Sequence, residues 1–138
     1  MVRLRLSPTP DALDFDAVVA QRVAEADEFY SFQPADLPED GKRVQRQAFA
    51  GLLWSRQFYH YAIQQWLDGD PAYPPPPPER KEGRNAAWIH VHNEDVLSMP
   101  DKWEYPWFAA WDAAFHMIPM SMVDPDFAKQ ELSRFLRE

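Results

Sequence analysis

The residues best suited to chemistry lie in one stretch, "WEYPWFAAWDAAFH", which runs from residue 103 to residue 116. Its aromatic side chains supply flat apolar faces, and its polar groups are Glu104, Asp112 and His116. An aspartate among aromatic rings loses hydration, which costs several kcal/mol unless a partner replaces the water. We therefore expect either a protein group or a ligand to satisfy Asp112.

Aromatic faces mixed with carboxylates are typical of a sugar site. A pyranose ring presents C–H faces that stack on aromatic rings and equatorial hydroxyls that bond to carboxylates. The aromatic residues concerned are Trp103, Tyr105, Trp107, Phe108 and Trp111. The same spacing also fits an ordinary helix core, in which Asp112 and His116, four residues apart, form a satisfied pair. The pattern alone leaves both interpretations open.

A second group of polar residues lies in "HVHNED", whose side chains include types that bind zinc or another divalent ion. These residues are His90, His92, Glu94 and Asp95. The two histidines are two positions apart, which places them on the same side of an extended strand. Solvated or locally hydrogen-bonded loop residues show the same pattern. We expect the loop interpretation and predict no metal ion and no other cofactor.

Two further patterns are open to a functional interpretation. Ser55 and Ser98 accompany His60 and His116 in the chain, but neither their spacing nor the turn residues resemble a nucleophile elbow, so we expect no serine hydrolase. The proline run at 74–78 would form about 15 Å of polyproline II at ~3.1 Å per residue. Such a run can dock in an aromatic groove of another protein, but we expect a rigid loop strut.

Composition limits the class of protein. The 138 residues are 46% apolar and 26% charged, which is the profile of one soluble globular unit. No apolar run approaches the length of a membrane span, and the first residues lack the apolar core of a secretory signal, so we expect a cytoplasmic chain. A net charge of -8 argues against nucleic acid and anionic membranes as partners. The absence of cysteine excludes disulfides and thiolate chemistry.

Apolar residues recurring every three or four positions predict the helices that must position these side chains. The predicted helices are a first from Asp14 to Phe32, a second from Asp36 to Leu67, a third from Pro106 to Met122 and a fourth that starts at Pro125. Pro119 removes one backbone donor and is expected to kink or end the third helix.

Between the second and third helices, at about residues 70–102, no helical or alternating pattern persists, and we predict a long proline-rich loop. Only "AWIHVH", residues 87–92, alternates well enough to form a short extended piece. The predicted class is therefore all-α, with about four helices. Wide apolar faces on three of the helices indicate packing against neighbours on more than one side, so we expect that the chain lacks some of its natural neighbours.

From Gln45 onward the chain resembles the bacterial glucosidase-type proteins of glycoside hydrolase family 63. The resemblance is carried by "MPDKWEYPWFAAWD", by the "AFH" that follows it and by "VDP" with "FAK" beyond. It implies an (α/α)6 toroid of six helical hairpins with a sugar site at one mouth. It also implies inverting hydrolysis of α-linked glucosides or related sugars, since relatives act on processed N-glycans, mannosylglycerate or glucosylglycerate.

The resemblance assigns roles to particular residues. Asp112 matches the aspartate that holds sugar hydroxyls in the −1 subsite, and Trp111 lines the same pocket. The residues that would face the pocket mouth are Trp103, Glu104, Tyr105 and Trp107. An inverting glycosidase also needs a general acid and a general base roughly 6.5 to 9.5 Å apart. In the family the acid lies in a "GLDN"-like segment and the base is a later glutamate. Neither motif is present, so we predict no catalytic residue here. A proton-donor role for Asp112 is a further possibility.

An (α/α)6 domain needs twelve helices and well over about 250 residues, whereas this chain supplies about four helices. We therefore predict that residues 1–138 are the N-terminal part of one such domain, inactive alone. The expected partners are an oligosaccharide or small glycoside and the remainder of the barrel. The alternative is a helical carbohydrate- or protein-binding module, or a gene remnant, without catalysis.

Overall fold

A computed structural model describes residues 14–138 and, before them, Val2, Leu4, Leu6 and Pro8. Contacts divide the chain into two units, residues 1–46 and residues 47–138. The elements are α1 (Phe15–Phe29), α2 (Glu39–Trp54), β1 (Arg56–Ala62), α3 (Ile63–Asp68), β2 (His92–Ser98), α4 (Ala110–Val123) and α5 (Pro125–Arg134). Short 3-10 turns occupy Tyr30–Phe32 and Pro78–Lys81. No helix in these described residues has the length and apolar character needed to cross a membrane.

The predicted all-α class is wrong, because the described residues combine five α-helices with a two-stranded antiparallel sheet. The partial (α/α)6 toroid is wrong for the same reason, since β1 occupies part of the predicted second helix. That helix ends at Trp54, and the sequence "RQFYHYA" continues as a strand. Its aromatic residues favour a strand, whose pleated surface gives large rings room to pack against a neighbour. Pairing with a distant segment therefore outweighs the apolar spacing that indicated a helix.

The partner of β1 lies inside the predicted loop at 70–102. The register runs from Arg56 opposite Ser98 to Ala62 opposite His92. The extended piece predicted at residues 87–92 thus reaches the observed strand only at His92. Because side chains alternate across a strand, one face of the sheet is covered and the other is open to solvent. Tyr59, Tyr61, Asn93 and Leu97 are on the covered face; Phe58, His60, Glu94 and Val96 are on the open face.

The predicted first and second helices begin close to the expected positions. Asp14 caps α1 by accepting a hydrogen bond from the backbone N–H of Ala17 at 3.1 Å. None of the α1 side chains is buried. Within the same unit, Gln33 donates to the carbonyl of Lys42 at 2.8 Å and to the side chain of Gln45 at 3.0 Å. These bonds connect the turn after α1 to the first part of α2.

The main apolar cluster of the second unit forms where α4 meets α5. It contains Met117, Met120 and Ala128, with Phe127 packed against them. Pro119 does not end α4, which continues to Val123. Pro125 begins α5 as predicted, and Asp124 caps this helix by accepting from the backbone N–H of Phe127 at 3.0 Å. Asp124 also pairs with Arg56 at 2.8 Å, which ties the start of α5 to β1.

The proline run folds back on α3. Arg80 donates to the carbonyl of Trp66 at 2.9 Å and lies over the Trp66 ring at 4.7 Å from its centroid. At the end of α3, Gly69 has a φ of 81°, and a Cβ there would meet Pro76 at 2.6 Å. A glycine is therefore required at this position, both by the left-handed backbone and by the close approach of Pro76. The result is a fixed path for the chain from α3 toward β2.

Candidate functional site

A cleft of about 660 Å³ lies against the covered face of the β1–β2 sheet. Its walls come from both strands, from the loop before β2, from the segment before α4 and from the end of the chain. The aromatic residues that line it are Tyr59, Tyr61, Trp88, Trp107, Phe108 and Phe135. The polar lining residues are Arg84, Asn85, Asn93 and Glu138. An aromatic cleft with a few polar groups is the usual form of a small-molecule site.

The strand geometry explains why two tyrosines and an asparagine meet in this wall. Tyr59 and Tyr61 are two positions apart, so they lie on the same face of β1, with ring centroids 6.2 Å apart. The antiparallel register places Asn93 directly opposite Tyr61. Cross-strand partners have neighbouring Cβ atoms, so the Asn93 amide lies next to the tyrosine rings.

Asn93 is the unusual residue of the cleft. It is 0% exposed, and within the described part of the chain neither its Nδ2 nor its Oδ1 has a hydrogen-bond partner. Leaving buried polar atoms unpaired costs roughly 1 to 3 kcal/mol, which is why such groups are rare in folded proteins. A ligand in the cleft that accepts one hydrogen bond and donates another would satisfy this amide.

The two tyrosine hydroxyls beside Asn93 have protein partners. Asn85 donates to the Tyr61 hydroxyl at 3.0 Å, from a backbone with a φ of 70° that asparagine tolerates better than most residues. The hydroxyl of Tyr59 is hydrogen-bonded to the backbone of Phe108, and burial raises the pKa of this tyrosine. Both tyrosine rings are therefore held in position, whereas the Asn93 amide has no hydrogen-bond partner among the described residues.

Of the predicted sugar-binding residues, Trp107 lies in the cleft wall and is 48% exposed. Tyr105 supports it from outside the lining through an edge-to-face contact of 5.1 Å between ring centroids. Trp103 is 93% exposed, and both it and Glu104 bond through their backbone N–H groups to Asp101. The structure therefore brings Trp107 and Tyr105 together and leaves Trp103 and Glu104 on an exposed turn.

Trp111 and Asp112 occupy the first turn of α4, beyond the cleft lining. Trp111 is 72% exposed and contacts Phe115 edge-to-face at 5.9 Å. Asp112 is half-buried, and its negative charge lies at the positive end of the helix dipole. It also acts electrostatically on His116, one turn further on. The end of the helix therefore favours a negative charge at this position.

His116 also contacts Ser98, with 2.9 Å between the imidazole Nδ1 and the hydroxyl oxygen. Burial lowers the pKa of His116, and the charge of Asp112 opposes this effect. The order of these three residues is reminiscent of a hydrolytic triad, but Ser98 is only 2% exposed. Ser98 also does not line the cleft, so its contact with His116 is a structural tie between β2 and α4.

Of the four polar residues of "HVHNED", only His92 and Glu94 come together with a further histidine. His90 packs near Trp88, with ring centroids 5.7 Å apart, and Asp95 pairs with Arg134 at 3.0 Å. Instead, His60 of β1 joins His92 and Glu94 on the open face of the sheet, where one ligand atom from each lies within 4.8 Å of the others. Sequence reasoning missed His60 because it is far from the others along the chain.

Sequence reasoning also missed most of the cleft. The sequence predicts Tyr59 within the second helix, Asp36 to Leu67, and Asn93 within the long loop at 70–102, so it places neither of them at a site. The signal that could have found them is the alternation in "RQFYHYA", where Tyr59 and Tyr61 are separated by His60. Trp88 and Phe135 give no such signal, because their positions depend on how distant parts of the chain pack.

Over 130 residues the chain is 50% identical to "Uncharacterized protein YMR196W" of Saccharomyces cerevisiae. The match covers 93% of this chain and 12% of the yeast protein, so the chain spans a small part of that relative. No family model matches the chain, and no solved structure matches it. The comparison therefore shows that these residues are similar to a segment of a much longer protein, and it gives no information on activity.

Proposed function

We propose that the chain binds a glycoside or oligosaccharide in the aromatic cleft, as part of a larger inverting glycoside hydrolase that acts on α-linked glucosides or related sugars. The observation that best supports the proposal is the buried Asn93 amide, which has no hydrogen-bond partner among the described residues and lines an aromatic cleft. The resemblance to family 63 in the stretch that contains Trp107 supports it independently.

The chemistry of a sugar complements this cleft. Two neighbouring hydroxyls can together accept a hydrogen bond from the Asn93 NH₂ group and donate one to its oxygen. The rings of Tyr61 and Trp107 offer faces for the apolar C–H side of a pyranose. Because a buried polar site left unfilled is unfavourable, the gain on filling it is larger than that of an exposed hydrogen bond.

Trp111 and Asp112 have a place in the same proposal. Ala110, the residue before them, lines the cleft, so the first turn of α4 extends from its edge. We infer that a longer ligand leaves the cleft along this turn and meets the exposed Trp111 ring and the Asp112 carboxylate. The exposed turn with Trp103 and Glu104 would then lie further out.

The proposal assigns no bond cleavage to these residues alone. The general acid and base would come from the remainder of a longer protein, which fits the small share of the yeast relative that the match covers. A cytoplasmic location belongs to the same proposal.

The test is a titration of the folded chain with α-linked glucose oligosaccharides, followed by tryptophan fluorescence and calorimetry. We expect the parent chain to give a saturable signal, and we expect Asn93→Leu to bind the oligosaccharide at least tenfold more weakly. The leucine is close in size and removes the unpaired amide, so we also expect the free variant to be as stable as the parent or more stable. Loss of binding without loss of stability separates a ligand-binding role from a structural one.

Trp107→Ala and Trp54→Ala form a matched pair for the same titration. Trp107 lines the cleft, whereas Trp54 is an exposed ring that contacts Lys102 instead. Only the first change should weaken binding. A flat titration of the parent chain, or equal binding by the parent and Asn93→Leu, would rule out the cleft as a sugar site.

A further inference from the structure

The open face of the β1–β2 sheet carries His60, His92 and Glu94 in one cluster. One ligand atom from each of these exposed side chains lies within 4.8 Å of the other two. We propose that these three residues bind a divalent transition-metal ion of the zinc type. This site is separate from the cleft and does not depend on the proposed sugar function.

The strand register brings the three side chains to the same face. His60 is directly opposite Glu94, and His92 is two positions before Glu94 on the same strand. The two imidazole rings have centroids 6.0 Å apart, and the His92 Nε2 is 3.8 Å from a Glu94 carboxylate oxygen. Backbone pairing sets the positions of all three residues, so only rotation of their side chains is needed for them to reach a common ion.

That rotation is small. In a tetrahedral zinc site with bonds of about 2.0 to 2.2 Å, the ligand atoms lie roughly 3.3 to 3.5 Å apart. The present separations of up to 4.8 Å therefore have to close by about 1.5 Å or less. Exposed side chains can make this adjustment without disturbing a packed core.

The ligand set favours particular metals. Two imidazole nitrogens and one carboxylate suit zinc, nickel or copper, whereas magnesium and calcium prefer sites made only of oxygen ligands. Three protein ligands also leave one coordination position for water or another molecule. An ion held by both strands would link His60 of β1 to β2, so it should stabilise the sheet that forms the cleft wall.

Calorimetry and thermal unfolding of the chelator-treated chain with zinc chloride test the proposal, with magnesium chloride as the reference salt. We expect one zinc ion per chain, a rise in Tm with zinc, and no saturable binding of magnesium. His60→Gln and His92→Gln should each weaken zinc binding at least tenfold. Circular dichroism first establishes that both variants are folded.

His90→Gln is the matched control, because His90 lies two residues from His92 but packs near Trp88 outside the cluster. This variant should bind zinc as the parent does. The proposal is overturned if the parent shows no saturable zinc binding, or if His60→Gln binds as tightly as the parent. A loss that follows His90→Gln but not His60→Gln would instead place the ion in the loop and would also overturn it.

Discussion

His116 illustrates how one side chain makes stability depend on pH. Burial is the larger influence and lowers the pKa of this imidazole, against the opposing charge of Asp112. The unfolded chain therefore takes up the proton first as the pH falls. Because the unfolded state then binds more protons, the free energy of unfolding should decrease as the pH drops below about 6.5, the ordinary value for histidine.

We predict that His116→Asn removes part of this pH dependence. The asparagine amide occupies the position of the imidazole Nδ1, so it can keep the contact with the Ser98 hydroxyl, but it does not titrate. Urea unfolding at pH 7.5 and pH 5.5 should show a smaller loss of stability for the variant than for the parent on acidification. The prediction fails if both proteins lose the same free energy of unfolding between these two pH values.

At the scale of elements, α5 is anchored to β2 by a buried charge network. Arg134 donates to Glu131 at 2.6 Å and to Asp95 at 3.0 Å, and both Arg134 and Glu131 are buried. Burial raises the pKa of Glu131, while the charge of Arg134 acts in the opposite direction. The arginine therefore keeps an ionised carboxylate tolerable inside the fold.

Removing the arginine should be costly, because a buried carboxylate would lose its partner. We predict that Arg134→Met lowers the free energy of unfolding by about 3 to 5 kcal/mol at neutral pH. The loss should shrink as the pH falls, since Glu131 then takes up a proton and becomes neutral. The double variant Arg134→Met with Glu131→Gln should recover part of the loss; equal stability of the single and double variants would contradict the explanation.

The elements also show where sequence reasoning succeeds. The helices α1 and α5 lie within predicted ranges and α4 ends one residue beyond its own, because their apolar spacing and their start signals, such as Pro125, are local. The strand β1 was missed because Tyr59 and Ile63 also fit a helical stripe that continues from α2. What decides the structure is pairing with β2, whose residues begin thirty positions after the end of β1 and carry no helical or strand pattern of their own.

The same reason limits the prediction of the site. Trp107 was found because it belongs to a dense local motif, whereas Asn93 and His60 become important only once the strands pair. The resemblance implies that Trp111 lines a pocket, which stays a prediction, and in the described residues its ring lies on an exposed face of α4. A residue type can be recognised from sequence, while the neighbours that give it a role depend on contacts between distant segments.

At the scale of the whole molecule, the exposed face of α4 is a candidate interaction surface because it is apolar. Trp111, Phe115, Ile118 and Met122 follow one another at helical spacing, and each is more than half exposed. A contiguous apolar surface of this kind usually marks an interaction site. Since the match covers 12% of the yeast protein, we propose that the remainder of such a longer protein packs on Phe115, Ile118 and Met122, while Trp111 at the start of α4 stays open to the ligand.

Two glutamine substitutions, Phe115→Gln and Ile118→Gln, should then have different effects in the isolated chain and in a full-length relative. In the isolated chain they should reduce self-association in sedimentation velocity, because the apolar surface is exposed there. In the full-length yeast relative, the equivalent changes should lower stability, since burying each apolar side chain contributes about 1.5 to 3 kcal/mol. Val44→Gln is the control, as Val44 is an exposed apolar residue of α2 outside this face. If the paired changes leave the full-length protein as stable as this control does, α4 faces solvent there and another surface holds the remainder of the protein.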